Sequence, residues 1–298
     1  MPERSDFIKR LFAGLYLAFI FLFLYLPIAI LIIFSFNSSK TRGHWTGFSL
    51  KWYDALLHDS AVISAMTNTL LIAVIATVIA TIIGTFAAIG LYYMKKSQRR
   101  LILALNQIPV LNPDIVTAIS LMVLFHIFHL NLGLFSLTLA HIIFLIPYVL
   151  LSIMPRLNTM ESSLPEAALD LGATPGQCVY KIILPEIKPA ILQSALLAFT
   201  LSIDDFVISF FTGGNGVSTV ATHVFSMTRR GINPVINALS TVMFLITLLL
   251  LIIINYQTAR KAAGETSGDI QAELNLLEPD LNSDKAVSKQ NCSLESER

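Results

Sequence analysis

Charged residues are scarce in this 298-residue chain: Asp, Glu, Lys and Arg together make up only 13% of it. This is about half the share found in soluble domains. Apolar residues make up 55%, and the mean hydropathy is +0.71. These values exclude an ordinary soluble domain and indicate an integral membrane protein. The net charge of +1 gives no sign of nucleic-acid binding.

Cysteines and nucleotide-binding motifs are also nearly absent. The two cysteines, Cys178 and Cys292, are predicted to lie in a reducing compartment, so no disulfide is expected. No G-x-x-x-x-G-K-[ST] loop occurs, and the glycine-rich stretch at 213–216 lacks the lysine. The chain is therefore not expected to bind ATP or to act as an enzyme, and it suggests no cofactor.

Three histidines are weak candidates for a metal site. His126 and His129 lie three positions apart near the predicted outer end of one span, and His141 lies in the next span. Metal ligation would need carboxylate or thiol partners that are not nearby in the sequence. The three histidines are interpreted as packing residues of the membrane interface, and no metal is predicted.

Several apolar windows are long enough to cross a membrane, which takes about 20 helical residues. Six such windows occur, at 11–34, 63–91, 101–128, 134–153, 190–211 and 235–257. The predicted fold class is all-α, a polytopic membrane protein with six transmembrane helices in a domain of residues 1–261. Residues 262–298 carry eight acidic and three basic groups and no aromatic residue, a composition that favours a disordered tail.

The distribution of Lys and Arg predicts the orientation, because short loops rich in these residues stay in the cytoplasm. The side that holds both termini has twelve of them outside the tail, and the opposite side has five. Both termini and the loop at 154–189 are therefore expected to face the cytoplasm.

That loop is polar and contains several prolines, and its segment LPEAALDLGATPGQCVYKIILPEIKP reads as two short helices with a break. Pro165 fits the first turn of a helix, where its missing N–H is not needed. Gly172 is expected to end this helix in the left-handed conformation. Pro175-Gly176 then turns the chain into a second helical stretch that is predicted to end near Leu184-Pro185.

The same loop resembles the EAA loop of importer-type ABC transporter permeases at its signature positions. These positions are Glu166, Ala167, Ala168, Gly172, Ile182, Leu184 and Pro185. The resemblance implies a type I importer permease fold, in which this elbow docks into a separate ATPase subunit dimer and passes its closure to the membrane domain. Without the resemblance, the residues would fit equally well a cytoplasmic loop that forms two short helices and docks to no ATPase.

Acidic residues within the apolar windows are costly and usually functional. Asp114 in the third window and Asp204 and Asp205 in the fifth are predicted to lie at similar depth and to cluster. Pro109 and Pro113 predict a broken helix beside Asp114. With no Lys or Arg inside the windows, the acids favour a cationic substrate; the alternative is that Asp204 or Asp205 pairs with a basic group of a partner subunit.

Two other residues would complement a cation. Ser202 lies two positions before Asp204 and offers a hydroxyl group. Trp52, in the first outer loop, offers an aromatic face for a cation–π contact. Trp and Tyr also anchor proteins at membrane interfaces, which is the better interpretation for each aromatic residue taken alone.

Four segments extend the resemblance to the second permease subunit of bacterial spermidine/putrescine ABC importers, over about residues 10–260. They are Phe36-Asn37-Ser38-Ser39, Lys51-Trp52-Tyr53, Pro113-Asp114-Ile115-Val116 and the stretch from Phe199 to Phe206. The resemblance implies translocation-path roles for Trp52, Asp114, Ser202, Asp204 and Asp205.

The resemblance also implies the partners and the location. A homologous permease, an ATPase dimer and an extracytoplasmic polyamine-binding protein would assemble with this chain in the lipid of the bacterial inner membrane. An ABC permease for another small substrate and a non-transporting membrane scaffold remain as alternatives.

Overall fold

The computed structural model describes residues 2–39, 44–161, 163–230, 234–249 and 251–252. Over these residues the chain is helical without a β-strand, apart from one isolated antiparallel bridge between Asn37 and Phe48. The described residues up to position 248 belong to one compact unit. The helices are α1 (Pro2–Ser35), α2 (Lys51–His58), α3 (Ser60–Tyr93), α4 (Lys96–Leu111), α5 (Asp114–Ile127), α6 (Leu134–Thr159), α7 (Ser163–Asp170), α8 (Pro175–Cys178), α9 (Leu184–Asp204), α10 (Val207–Thr212), α11 (Val220–Arg230) and α12 (Val235–Leu249).

Among the described residues, four helices are long and apolar enough to cross a membrane: Gly14–Ser35 within α1, α3, α6 and the continuous helix Pro175–Asp204. The pair α4 and α5 makes a fifth if it is counted as one bent span. The all-α membrane fold is confirmed. The count of six stays a prediction, because α12 covers only the first part of its window, and residues 250 and 253–257 of that window lie outside the described residues, as do the acidic tail and Cys292.

The entry into α3 shows why the chain becomes helical where it does. The helix α2 ends at His58, and Asp59 follows with an extended backbone. Its carboxylate Oδ1 accepts the N–H groups of Ala61 at 2.9 Å and Val62 at 3.4 Å. These donors belong to the first turn, where no helical carbonyl can reach them. Asp59 therefore fixes the beginning of the longest described span.

The helix α3 is the centre of the bundle and packs against both α6 and α9. One of its faces carries small buried residues: Ala65, Thr69, Ala73, Ala76, Ala80, Gly84 and Ala88. Small side chains let membrane helices approach closely and gain dispersion contacts. At Gly84 a Cβ atom would lie only 2.6 Å from Cγ1 of Val149 on α6. The two helices that carry the site residues below are therefore held on one scaffold helix.

The third apolar window is broken, as predicted. A residue before proline avoids the helical conformation, and Asn112, before Pro113, is extended with φ −77° and ψ 147°. The axes of α4 and α5 consequently differ by 104°. Pro109 lies inside α4 and does not end it. The break places Asp114 in the first turn of α5.

Candidate translocation site and coupling elbow

A cavity of about 360 Å³ lies between the end of α9, the start of α11 and α12. It is lined by Thr200, Ile203, Asp204, Val220, Ala221, Ser240, Met243, Phe244 and Thr247. One of these nine side chains is a carboxylate, three are hydroxyls and the rest are apolar or aromatic. A carboxylate among hydroxyl and apolar groups suits a cation that also carries hydrocarbon segments.

The two consecutive acids at the end of α9 have different surroundings. Asp204 is the last residue of α9 and is exposed towards the cavity, whereas the side chain of Asp205 is only 7% exposed. Asp205 accepts the N–H groups of Ile208 at 3.2 Å and Ser209 at 2.8 Å. These are first-turn donors of α10 without a helical acceptor. Asp205 therefore caps α10, and the chain breaks so that its neighbour faces the cavity.

A histidine of α6 connects these two helices. The His141 Nδ1 atom lies 2.8 Å from Ser202 Oγ on α9, and its Nε2 atom lies 3.2 Å from Ser209 Oγ on α10. The same Nε2 atom is 3.5 Å from Asp205 Oδ2. The His141 side chain is 1% exposed. His141 thus forms part of a buried polar cluster with Ser202, Asp205 and Ser209.

The predicted role of His141 in interfacial packing is corrected by this cluster, because the ring lies among helices and has polar partners at both nitrogens. The sequence did carry a signal. A histidine in the middle of an apolar window must find polar partners, since burying an unpaired polar group is costly.

Trp52 lies in the segment between α1 and α3 and belongs to the same buried apolar cluster as the lining residue Ile203, but it does not itself line the cavity. Its side chain is 5% exposed, and its Nε1–H donates to the Asn37 carbonyl at 2.7 Å. The amide of Asn37 in turn holds the following loop, donating to the His44 carbonyl at 2.7 Å and accepting the Thr46 N–H at 3.0 Å. Trp52 therefore anchors the segment between α1 and α3 onto the bundle.

Asp114 is exposed at the start of α5, beside the break. It does not line the cavity and makes none of the hydrogen bonds of the polar cluster. The structure thus brings Ser202 and Asp205 together and places Asp204 on the adjacent cavity. It leaves Trp52 and Asp114 outside both. The path roles of all five stay predictions.

The EAA segment forms a compact elbow whose first helix, α7, has Glu166 in its first turn. Gly172 follows the helix with φ +86°. The N–H groups of Gly172 and Ala173 donate to the carbonyls of Leu169 at 2.9 Å and Ala168 at 3.0 Å. This is the Schellman arrangement, which needs a left-handed residue and therefore favours glycine. The predicted role of Gly172 as the end of this helix is confirmed.

A second cap, which the sequence analysis missed, begins the next helix. Thr174 Oγ1 accepts the N–H of Gln177 at 3.3 Å, and the Thr174 N–H donates to Gln177 Oε1 at 3.0 Å. This reciprocal pair is a capping box, and Pro175 occupies the first helical position. The spacing of Thr174 and Gln177 was the available signal.

The second helical stretch does not end near Leu184-Pro185, so that prediction is wrong. The chain passes through a π-helical turn at Val179–Ile183 and continues as α9 to Asp204. The wider turn has the Leu184 N–H donating to the Val179 carbonyl, and Pro185, which has no N–H to donate, follows directly after this turn. The elbow and the Asp204 carboxylate therefore lie on one continuous helix.

The elbow presents apolar side chains on its outer face. Leu171 is 89% exposed and Tyr180 is 64% exposed. On the inner face, the buried Cys178 lies with its Sγ 3.9 Å from the Pro165 carbonyl, joining α8 to α7. Of the signature residues, the exposed ones are Glu166, Ala167, Gly172 and Pro185, the half-buried ones are Ile182 and Leu184, and the buried one is Ala168. Exposed apolar patches of this kind mark interaction surfaces.

Polar contacts tie the elbow to the neighbouring spans. Arg156 near the end of α6 donates through Nη2 to Glu186 Oε1 at 2.6 Å, at the start of α9. Arg99 Nη2 on α4 is hydrogen-bonded to Asn158 Oδ1 on α6. Exposed pairs such as Arg156 and Glu186 contribute about 1 kcal/mol or less, so they orient the helices more than they stabilise them.

The part of the chain that contains the broken span and the elbow matches a known family. The family model described as the binding-protein-dependent transport system inner membrane component matches residues 80–260. The match includes the α4–α5 break, the elbow and the cavity. The chain belongs to this family.

Individual relatives agree with the family. The spermidine/putrescine transport system permease protein PotC of Escherichia coli is 37% identical over 268 residues, which cover 90% of this chain and 98% of PotC. The putrescine transport system permease protein PotI of Escherichia coli is 42% identical over 214 residues, covering 70% and 76% of the two chains.

A solved structure shares the fold. A chain of a bacterial ABC transporter involved in the import of the acidic polysaccharide alginate superposes with a TM-score of 0.68 at 16% identity, covering 86% of this chain and 98% of that one. At this identity the likeness shows the fold alone. This member of the inner membrane component family is thus an ABC importer permease subunit and not itself an enzyme, and it works with an ATPase and a binding protein.

Proposed function

We propose that this permease moves polyamine cations, such as putrescine and spermidine, into the cytoplasm by alternating access. The observation that supports this proposal most directly is the cavity, whose nine lining residues include one carboxylate, Asp204, and no basic residue. Polyamines are ammonium groups separated by methylene chains. Asp204 and the hydroxyls complement the ammonium groups, while Met243 and Phe244 offer apolar contact to the methylenes. An anion would meet no compensating charge here.

The names of the relatives support the same substrate class. PotC is named for spermidine and putrescine transport, and PotI for putrescine transport. The lone carboxylate also fits transport better than tight binding, because a path must release what it admits.

In the proposed cycle, a homologous permease completes the path and a binding protein delivers the polyamine to its outer mouth. The exposed apolar face of the elbow docks into the ATPase dimer on the cytoplasmic side, the side with twelve of the Lys and Arg residues outside the tail against five. ATP binding draws the two elbows together, and the movement passes along the continuous helix from Pro175 to Asp204. Hydrolysis returns the bundle to its inward-open state.

The predicted path residues take different parts in this proposal. Asp204 contacts the cation directly. Ser202 and Asp205 support the break behind it, Asp114 lines the path at the α4–α5 break, and Trp52 holds the outer segment in place.

The test is uptake of radiolabelled putrescine and spermidine by cells without their own polyamine importers, supplied with this permease and its partner subunits. Asp204→Asn should lower uptake about tenfold or more, since a lost charge-assisted hydrogen bond is worth about 1.5–3 kcal/mol. Asp54→Asn is the matched control, because Asp54 is an exposed carboxylate of α2 outside the cavity lining.

Subunit-dependent uptake that falls in Asp204→Asn but not in Asp54→Asn supports the proposal. Correct membrane insertion with no subunit-dependent uptake of either polyamine contradicts it and leaves an importer of another small substrate.

A further inference from the structure

We infer that His141 is a positioning residue of the translocation path: it holds the α9–α10 break so that Asp204 points into the cavity. His141 does not line the cavity itself. Its position behind the break, on a different helix, is what gives it this role. The inference deepens the proposed function, but its main test does not depend on which substrate is carried.

The first step of the argument is geometric. If α9 continued as a helix past Asp204, each following side chain would point about 100° further around the helix axis. The end of α9 at Asp204 therefore needs interactions that stabilise it. The stop is stabilised by Asp205, which accepts two N–H groups of α10. Asp205 can act in this way only if its carboxylate faces inwards, which leaves the preceding side chain facing the cavity.

The second step concerns what holds Asp205 inwards. A buried carboxylate is costly unless its oxygens have partners. The His141 Nε2 atom lies 3.5 Å from Asp205 Oδ2 and 3.2 Å from Ser209 Oγ. The imidazole therefore lies beside the same oxygen that accepts the Ser209 N–H, and its Nε2 atom is hydrogen-bonded to the Ser209 hydroxyl.

The third step concerns the side of the break that belongs to α9. The His141 Nδ1 atom is hydrogen-bonded at 2.8 Å to Oγ of Ser202, which lies two residues before Asp204. One rigid ring therefore contacts the last turn of α9 and the first turn of α10. Both ring nitrogens are used, and the ring is anchored on α6, which packs against both helices. The ring fixes the relative rotation of the two helix ends.

The test measures the charge that a reagent meets in the cavity. Ser240→Cys places a thiol in the lining opposite α9. The complete transporter is treated with a cationic and an anionic methanethiosulfonate of similar size, and the ratio of the two reaction rates is measured. Cys292 is replaced by Ser, and the parent without Ser240→Cys gives the background from the buried Cys178.

With Asp204 facing the cavity, the ratio of the cationic to the anionic rate should exceed the ratio for a small free thiol in solution by roughly tenfold, as expected near a focused charge. Asp204→Asn should remove most of this preference. His141→Leu should lower it to a similar extent, and should have no further effect in the Asp204→Asn background.

A matched control separates positioning from general packing. Ser136 of α6 also contacts α10, donating to the Thr212 carbonyl at 3.0 Å, but at the far end of the short helix. Ser136→Ala should leave the preference unchanged. An equal loss in Ser136→Ala would overturn the inference, as would an unchanged preference in His141→Leu or in Asp204→Asn.

Conservative variants cover the case in which the leucine variant does not assemble. His141→Gln can place an amide near the Nε2 position, towards Ser209 and Asp205, and His141→Asn can place one near the Nδ1 position, towards Ser202. Because the cap of α10 depends on the Nε2 side, His141→Gln should retain more of the cation preference than His141→Asn. A full cation preference in His141→Asn, which lacks a group at the Nε2 position, would reject the role. In uptake assays, His141→Leu should raise the KM for putrescine; failure of this arm alone, with the reagent ratios as expected, would instead count against the polyamine proposal.

Discussion

At the scale of single residues, Gly84 shows how closely the spans are packed. The backbone of α3 comes so near α6 that a methyl group at this position would overlap the stiff, fully buried side chain of Val149. Gly90 lies six positions later on the same helix and is exposed. A Cβ atom added there would have no other atom within 4 Å. The same substitution therefore has opposite physical consequences at the two positions.

We expect Gly84→Ala to lower the free energy of unfolding by about 1–3 kcal/mol, the usual cost of overpacking. Gly90→Ala should instead raise it by up to about 1 kcal/mol, because glycine is a poor helix former. Denaturant unfolding in detergent measures both. Val149→Ala combined with Gly84→Ala should recover part of the loss. Equal stability of the two single variants would contradict the close approach.

At the scale of elements, the elbow depends on one backbone conformation. Gly172 adopts φ +86° to close the Schellman arrangement, and a Cβ atom added at this position would have no other atom within 4 Å. A side chain there would meet no steric obstacle beyond its own backbone. The left-handed conformation alone costs a non-glycine residue about 1–2 kcal/mol.

Gly172→Ala should therefore loosen the end of α7 and lower the amount of ATPase that copurifies with the permease by about fivefold or more, the effect of roughly 1 kcal/mol or more. Gly172→Asn should be milder, since asparagine tolerates this conformation better. Gly176→Ala, inside α8 and equally uncrowded, is the control and should retain the ATPase. Full retention by Gly172→Ala would mean that the elbow shape does not determine docking.

At the scale of the whole molecule, the orientation in the membrane decides whether the elbow can reach an ATPase. The excess of Lys and Arg, twelve against five, predicts that the elbow and both termini are cytoplasmic. The same rule places the Asn37–Phe48 bridge on the opposite side. Two exposed residues, Leu171 of the elbow and Phe48 of the bridge, report the two sides.

In the permease produced without its ATPase, Leu171→Cys should react with a membrane-impermeant thiol reagent only in inverted vesicles, and Phe48→Cys should react on intact cells. Both variants are made with Cys292 replaced by Ser. Labelling of Leu171→Cys from outside intact cells would reverse the orientation and remove the elbow as an ATPase contact.

The sequence by itself determined the features that depend on local chemistry. Long apolar windows require membrane helices because unpaired backbone groups cannot lie in lipid. Proline and glycine fixed the break before Pro113 and the helix end at Gly172, since their effects act within a few residues. The EAA signature identified the elbow and, with it, the family.

Only the tertiary structure decided the features that join distant segments. Asp204 and Asp205 are identical in type and adjacent in sequence, yet one faces a cavity and the other caps α10 against His141, a residue more than 60 positions away. The continuation of the elbow into α9 also depends on a π-helical turn that proline-based reasoning does not predict. Side-chain direction is set by where a helix stops and what packs behind it, and that depends on contacts between helices rather than on residue type.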